Sequence, residues 1–309
     1  MIEHVQIDTN AYCGSKCWFC PVKYYKRPHY EIMSNELFEN ILMQFQNGIF
    51  ENYVSPNYTV WLSSYNDILQ DTYLIERLSS LRKFGKQFQL LTNGIGILKN
   101  LDTLIEFEDV IHGYSVNLCA GNSEDYSKFT GNGEEIFTQI ISGLIGLYSR
   151  NPDRYRQIVT VSVNGAHDDP IGRVQLKYDL PIGDTNKQIS QLKKLLPYKI
   201  SDARPLCDRA GLLRKVNIID NQAEGVRELW KLPVDAESAT GCNGGSRLDK
   251  WIHIGVNGGL YLCCQDFFEK YCYGNARDGK IFLDNNGTLC YTLRQKMLNE
   301  VCRFCWFSF

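Results

Sequence analysis

The chain has 309 residues, 44% hydrophobic and 22% charged, with a formal net charge of −2. This composition suits a globular protein of one large or two ordinary domains. It offers no basic field for nucleic acid, no run of about 18 apolar residues to span a membrane, and no basic-then-apolar N-terminal signal. A cytoplasmic chain is therefore expected, and its twelve cysteines favour metal ligation over disulfides.

In chain order, a strand-like run at 5–8 leads into Cys13-Gly14-Ser15-Lys16-Cys17-Trp18-Phe19-Cys20, a C-x3-C-x2-C loop with an aromatic residue before its last cysteine. Three thiolates this close can hold three corners of a [4Fe–4S] cluster and leave one iron open to a ligand. The alternatives are a zinc site or buried free thiols; zinc needs a fourth ligand, and His4 and His29 are poorly spaced for it. Further strand-like runs fall at 58–63, 87–91, 113–118 and 158–163, and helix-like stretches at 34–45, 71–84, 100–107, 134–149 and 185–195. In 134–149, Ile136, Ile140, Leu144 and Leu147 keep one apolar helical face. The alternation predicts an α/β protein with a parallel sheet and crossover helices. Periodicity alone does not separate a barrel from a doubly wound sheet, but in a barrel the site gathers at the C-terminal strand ends. Thr92-Asn93-Gly94 reads as an Asn-Gly turn after the third strand, and Asn117 as a strand-end asparagine.

The last third is dense in cysteine. Trp251-Ile252-His253-Ile254, a turn at Asn257-Gly258 and Leu260-Tyr261-Leu262-Cys263 predict a hairpin. With Cys242 before it and Cys302-Arg303-Phe304-Cys305 at the end, Cys242, Cys263, Cys302 and Cys305 make a set of four ligands, for zinc or for a second [4Fe–4S] cluster. Cys264 and Cys272 read as packed in apolar strand-like settings, and Cys290 has no assigned role.

The cluster loop after the first strand resembles that of the radical S-adenosylmethionine (radical SAM) enzymes. The C-terminal cysteines resemble their twitch domain, a shortened SPASM domain, as does the run Cys263-Cys264-Gln265-Asp266 with Tyr273-Gly274-Asn275. Within that family the likeness is to the twitch group that includes the aminocyclitol dehydrogenase of butirosin biosynthesis and related epimerases. It implies a partial (β/α)6 barrel at 1–200, a bridge at 201–241 and a small α+β twitch domain at 242–309. It also implies a SAM-binding [4Fe–4S] cluster on Cys13, Cys17 and Cys20, and one auxiliary [4Fe–4S] cluster on the four C-terminal cysteines. Phe19, Asn66, Asp67, Asn93 and Asn117 would then surround SAM. The family's Gly-Glu-Pro is replaced here by Ser63-Ser64-Tyr65-Asn66-Asp67, so Asp67 stands in for the Glu and the proline is missing. By match, Arg209 inherits a substrate contact. Cys207 and Cys119 fall near the barrel mouth, where a thiol can return a hydrogen atom to a substrate radical, Cys207 being the better candidate; its alternative is a packed bridge cysteine.

The resemblance implies a 5′-deoxyadenosyl radical that abstracts hydrogen from a carbinol carbon, giving epimerisation or oxidation. No peptide-recognition domain fits ahead of Cys13, which favours a small polar substrate: a sugar, aminocyclitol or nucleoside. A peptide-modifying enzyme and a non-catalytic metal scaffold are the other readings. A flavodoxin- or ferredoxin-type protein would supply electrons; neither nucleic acid nor a membrane is expected as a partner. The stretch Tyr24-Tyr25-Lys26-Arg27-Pro28-His29-Tyr30 lines the site or forms a solvated loop.

Overall fold

The structure, a computed structural model, describes residues 2–29, 31–47, 53–164, 185–201, 210, 212–215, 239, 242, 250–281 and 291–305. Six strands alternate with helices: β1 (Ile2–Ile7), α1 (Asn35–Asn47), β2 (Val54–Trp61), α2 (Leu74–Lys83), β3 (Phe88–Thr92), α3 (Leu101–Glu106) and β4 (Ile111–Cys119). Then follow α4 (Ser123–Thr130), α5 (Glu134–Arg150), α6 (Pro152–Ile158), β5 (Val159–Val163), α7 (Thr185–Leu195), β6 (Lys199–Ile200) and the short α8 (Leu212–Lys215). β1 to β6 pair in parallel, in chain order. Val60, Leu90, Val116 and Val161 within these strands are fully buried, as a parallel sheet covered by helices requires.

The rest of the sheet comes from the C-terminal part: β7 (Trp251–Ile254), β8 (Gly259–Tyr261), β9 (Cys272–Asn275) and β10 (Lys280–Ile281), followed by α9 (Tyr291–Glu300). The hairpin expected at 251–263 is there, with Gly258 at φ +85° in its turn. β7 also pairs in parallel with β1, His4 opposite Trp251 and Ile7 opposite Ile254. A single ten-stranded sheet in the order β10-β9-β8-β7-β1-β2-β3-β4-β5-β6 therefore joins both parts. Among the described residues no helix is long and apolar enough to cross a membrane.

Helix starts follow local chemistry. Leu37 N–H donates to Ser34 Oγ before α1, and Asp125 N–H to Asn122 Oδ1 at the N-cap of α4. Pro152 opens α6, and Gly131 closes α4 in the left-handed region at φ +70°. The buried Arg77 of α2 donates to Asp71 Oδ2 and to the Met33 and Ser34 carbonyls, fixing the return of the long β1–α1 loop. α5 buries Ile140, Leu144 and Leu147 as its periodicity predicts, adds Phe137, and leaves Ile136 only half-buried.

Candidate active site

The β1–α1 loop that carries the three N-terminal cysteines is stitched to the end of α4. Lys16 N–H donates to the Thr130 carbonyl at 2.8 Å and Trp18 N–H to that of Phe129 at 3.2 Å. Trp18, Phe19 and Phe129 form an aromatic cluster with ring centroids 5.6–6.2 Å apart, so the hydrophobic pair inside the motif anchors its last turn. Ser15 Oγ accepts from Asn132 Nδ2 at 3.0 Å. This packing lays Cys13, Cys17 and Cys20 on the wall of a cavity of about 250 Å³.

The cavity lies at the C-terminal ends of β1 to β4, where a parallel α/β sheet gathers its ligand groups. Phe19, Asn66, Asp67, Asn93 and Asn117 all line it beside the three cysteines, and so do Gln6, Ser15, Ser64, Tyr65, Cys119 and Cys264. Asn93 Nδ2 reaches Cys13 Sγ at 3.5 Å while its Oδ1 accepts Ile95 N–H at 2.8 Å. Asn117 Oδ1 is buried without a hydrogen-bond partner on this wall.

Asn66 and Asp67 both shape the loop that carries them. Asn66 Oδ1 accepts Ser64 N–H at 2.7 Å. Asp67 is fully buried and its carboxylate accepts three hydrogen bonds, from Leu69 N, Thr92 Oγ1 and Asn93 N at 3.0, 2.8 and 2.9 Å. It ties the end of β2 to the turn after β3. Burial still pushes its pKa up, to about 6, against the pull of those donors.

The thiols are in an environment that disfavours a free thiolate. Burial lifts Cys13 to about 12, with Asp67, Cys20 and Cys17 adding repulsion. Cys17 is raised by its hydrogen-bonding contact with Cys119 and by burial. A cationic iron–sulfur cluster reverses that balance, because metal-bound thiols are deprotonated outright. The donor set, three clustered thiols with an unpartnered amide oxygen on the facing strand, fits such a group.

The C-terminal cysteines also converge. Cys305 stands within electrostatic reach of Cys263, and Cys242 of Cys302. Cys305 N–H donates to the Cys302 carbonyl at 2.8 Å, closing the tight loop of a Cys-x2-Cys pair. Gln265 N–H points at Cys263 Sγ at 3.4 Å, a contact suited to a metal-bound sulfur. Asp266 shapes the same loop by accepting Lys270 N–H and Tyr271 N–H. Burial and Cys242 push Cys302 to about 12. The described contacts thus place these cysteines in two pairs, Cys263 with Cys305 and Cys242 with Cys302.

Some expectations change. Cys272 is exposed rather than packed as a small hydrophobe, because it starts β9 at its solvent side. Cys264 is half-buried and lines the cluster cavity, and its Sγ, Cys263 Sγ and a His253 ring nitrogen lie within 4.8 Å of one another. Neither Cys264 nor His253 was legible as a site residue, because the hairpin register that turns them inward depends on the long-range pairing with β1. Of the tyrosine-rich stretch, Tyr24 and Tyr25 bond the Trp18 and Leu212 carbonyls, and Arg27 is buried. Cys207, Arg209 and Cys290 lie outside the described residues.

No protein-family model matches the chain, and no curated protein does. Solved structures do. A crystal structure of BtrN in complex with AdoMet and 2-DOIA is 16% identical, with a TM-score of 0.53 over 100% of this chain and 93% of that one. A structure of anSMEcpe with bound AdoMet is 13% identical, with a TM-score of 0.55 over 99% of this chain and 83% of that one. Both are radical SAM enzymes. The chain has the fold of these enzymes: an α/β partial (β/α)6 barrel with an auxiliary domain.

Proposed function

We propose that the chain is a radical SAM enzyme that abstracts hydrogen from a carbinol carbon of a small polar substrate, such as a sugar, aminocyclitol or nucleoside. The observation that carries the reading is the gathering of Cys13, Cys17 and Cys20 with Asn66, Asp67, Asn93 and Asn117 on one cavity at the C-terminal strand ends. AdoMet bound by both fold relatives supports AdoMet as the cofactor here. Cys13, Cys17 and Cys20 would hold a [4Fe–4S] cluster, and Cys242, Cys263, Cys302 and Cys305 an auxiliary one. When bound, the first cluster with SAM supplies a 5′-deoxyadenosyl radical able to break an unactivated C–H bond.

The chain's own residues bind and orient. Asp67 and Asn66 hold the loop after β2, whose backbone would face the ammonium of SAM. Asn93 and Asn117 offer polar groups from the ends of β3 and β4. Phe19 and its aromatic neighbours shield the loop from water.

Two outcomes belong to this reading. In oxidation, the substrate radical gives up one further electron and its hydroxyl proton; a group held by Cys242, Cys263, Cys302 and Cys305 would supply an electron acceptor, and a base on the cavity wall would take the proton. In epimerisation a thiol returns the hydrogen: an S–H bond breaks, a C–H bond forms, and one electron and one proton restore the thiol. The matched candidate is Cys207; Cys119 and Cys264 are further thiols on the described cavity wall. A flavodoxin- or ferredoxin-type protein would deliver the electrons.

The test is iron and acid-labile sulfide per chain after anaerobic reconstitution, with 5′-deoxyadenosine measured on reduction with SAM. About eight irons, falling to about four when Cys13, Cys17 and Cys20 become alanine, are expected. Full iron content without 5′-deoxyadenosine would sink the enzyme reading. Solvent deuterium entering the substrate carbon marks epimerisation; its absence marks oxidation.

A further inference from the structure

A second, smaller cavity adjoins the first and shares Ser64, Tyr65 and Cys264 with it. It is walled by Asp8, Arg27, His253, Tyr261 and Glu269. Its space of about 20 Å³ suits one water-sized chemical group. Arg27 is 7% exposed. Its Nη2 donates to Asp8 Oδ2 at 2.9 Å and to Glu269 Oε1 at 2.6 Å, joining the end of β1 to the segment after β8.

That tie leaves a specific surplus. Arg27 Nε and Nη1 are buried without a partner, and Glu269 Oε2 is buried without a well-formed hydrogen bond, with the Tyr261 hydroxyl the nearby donor to this carboxylate. His29 Nε2 stands 3.9 Å from that oxygen, beyond hydrogen-bond reach. Unpaired buried groups of this kind are costly. Glu269 also has a φ of +54°, a left-handed conformation unfavourable for a side chain like this, so the backbone is strained where the carboxylate is presented.

We propose that this cavity is the subsite for a neutral hydroxyl of the substrate, which accepts from an Arg27 N–H and donates to Glu269 Oε2. The complement is one of donors and acceptors. A carboxylate would satisfy Arg27 but meet the like charges of Glu269 and Asp8. An ammonium would satisfy Glu269 but leave Arg27 unmatched and be repelled by it. A hydroxyl both accepts and donates, and it fits the volume. The proposal rests on the radical SAM reading only in taking the ligand to be the substrate. It extends that reading by naming the groups that hold a hydroxyl against the wall shared with the cluster cavity.

Single-group probes test this without the substrate. Crystals of the reconstituted holoenzyme are soaked separately in glycerol, acetate and methylammonium. The expected result is a glycerol oxygen between Arg27 and Glu269, with neither ion there. In solution, saturation-transfer NMR should detect glycerol on wild type, weakened about tenfold by Arg27→Lys and by Glu269→Gln. Iron content equal to wild type marks each variant as folded. Acetate or methylammonium in the cavity, water alone in all three soaks, or an unchanged glycerol signal in both folded variants overturns the proposal. Loss of 5′-deoxyadenosine formation in wild type would instead overturn the proposed activity and leave the probe result standing.

Discussion

Asp8 and Asp67 are both buried carboxyl groups, yet neither was placed there to pack. Burial lifts Asp8 from 3.8 to about 6, although Arg27 pulls the other way. The folded form therefore holds this proton more tightly than the unfolded chain does. The sign follows: stability is greatest below about pH 4 and falls as pH rises through the window to about 6. The urea midpoint of wild type should be lower near pH 7 than near pH 5, and Asp8→Asn should reduce the difference, leaving the part of the same sign that Asp67 contributes. Asp67→Ala would orphan three donors, Leu69 N, Thr92 Oγ1 and Asn93 N. At about 1–3 kcal/mol for each buried unsatisfied group, a loss of roughly 3 kcal/mol or more is expected in thermal or urea melts. The family resemblance marked Asp67 as a site residue, standing in for the Glu of Gly-Glu-Pro. Its bonds to the third strand's turn were not legible, because they depend on how two loops meet.

At the scale of elements, the turn after β3 is the most constrained part of the site. Gly94 sits at φ +89°, and a Cβ there would stand 2.6 Å from Ile140 Cγ2 on α5. Gly94→Ala adds about 1–2 kcal/mol of backbone strain to that overlap. It should lower the melting temperature and weaken SAM binding, since Asn93 is its neighbour. Unchanged SAM affinity in equilibrium dialysis would count against the turn as part of the site. Elements were legible where the pattern is local: the stretch expected to end at 195 ends there as α7, and 134–149 differs from α5 by a single residue. The two-residue β6 and the exposed face of β9 were not legible, since pairing rather than composition makes them strands. The smaller cavity was hidden for a similar reason. Arg27 and Glu269 are 242 positions apart, and no spacing rule connects them.

At the scale of the molecule, the pairing of β7 with β1 couples the auxiliary cysteines to the barrel. Cys302→Ala with Cys305→Ala should therefore lower the melting temperature of the whole chain in one cooperative transition. Two separate transitions, the barrel unchanged, would show that the sheet does not transmit the loss. The resemblance anticipated an auxiliary domain at 242–309. Its continuity with the barrel sheet was not anticipated, because β7 and β1 lie at opposite ends of the sequence.

The same pairing bears on truncation. β1 is flanked by β2 on one side and β7 on the other. A product cut short before residue 250 would leave the apolar strand Ile2–Ile7 with a bare edge, a template for self-association between chains. Such a fragment should accumulate as aggregate rather than as a dormant half-enzyme, so a premature stop anywhere ahead of β7 would act as a solubility defect before it acted as a catalytic one.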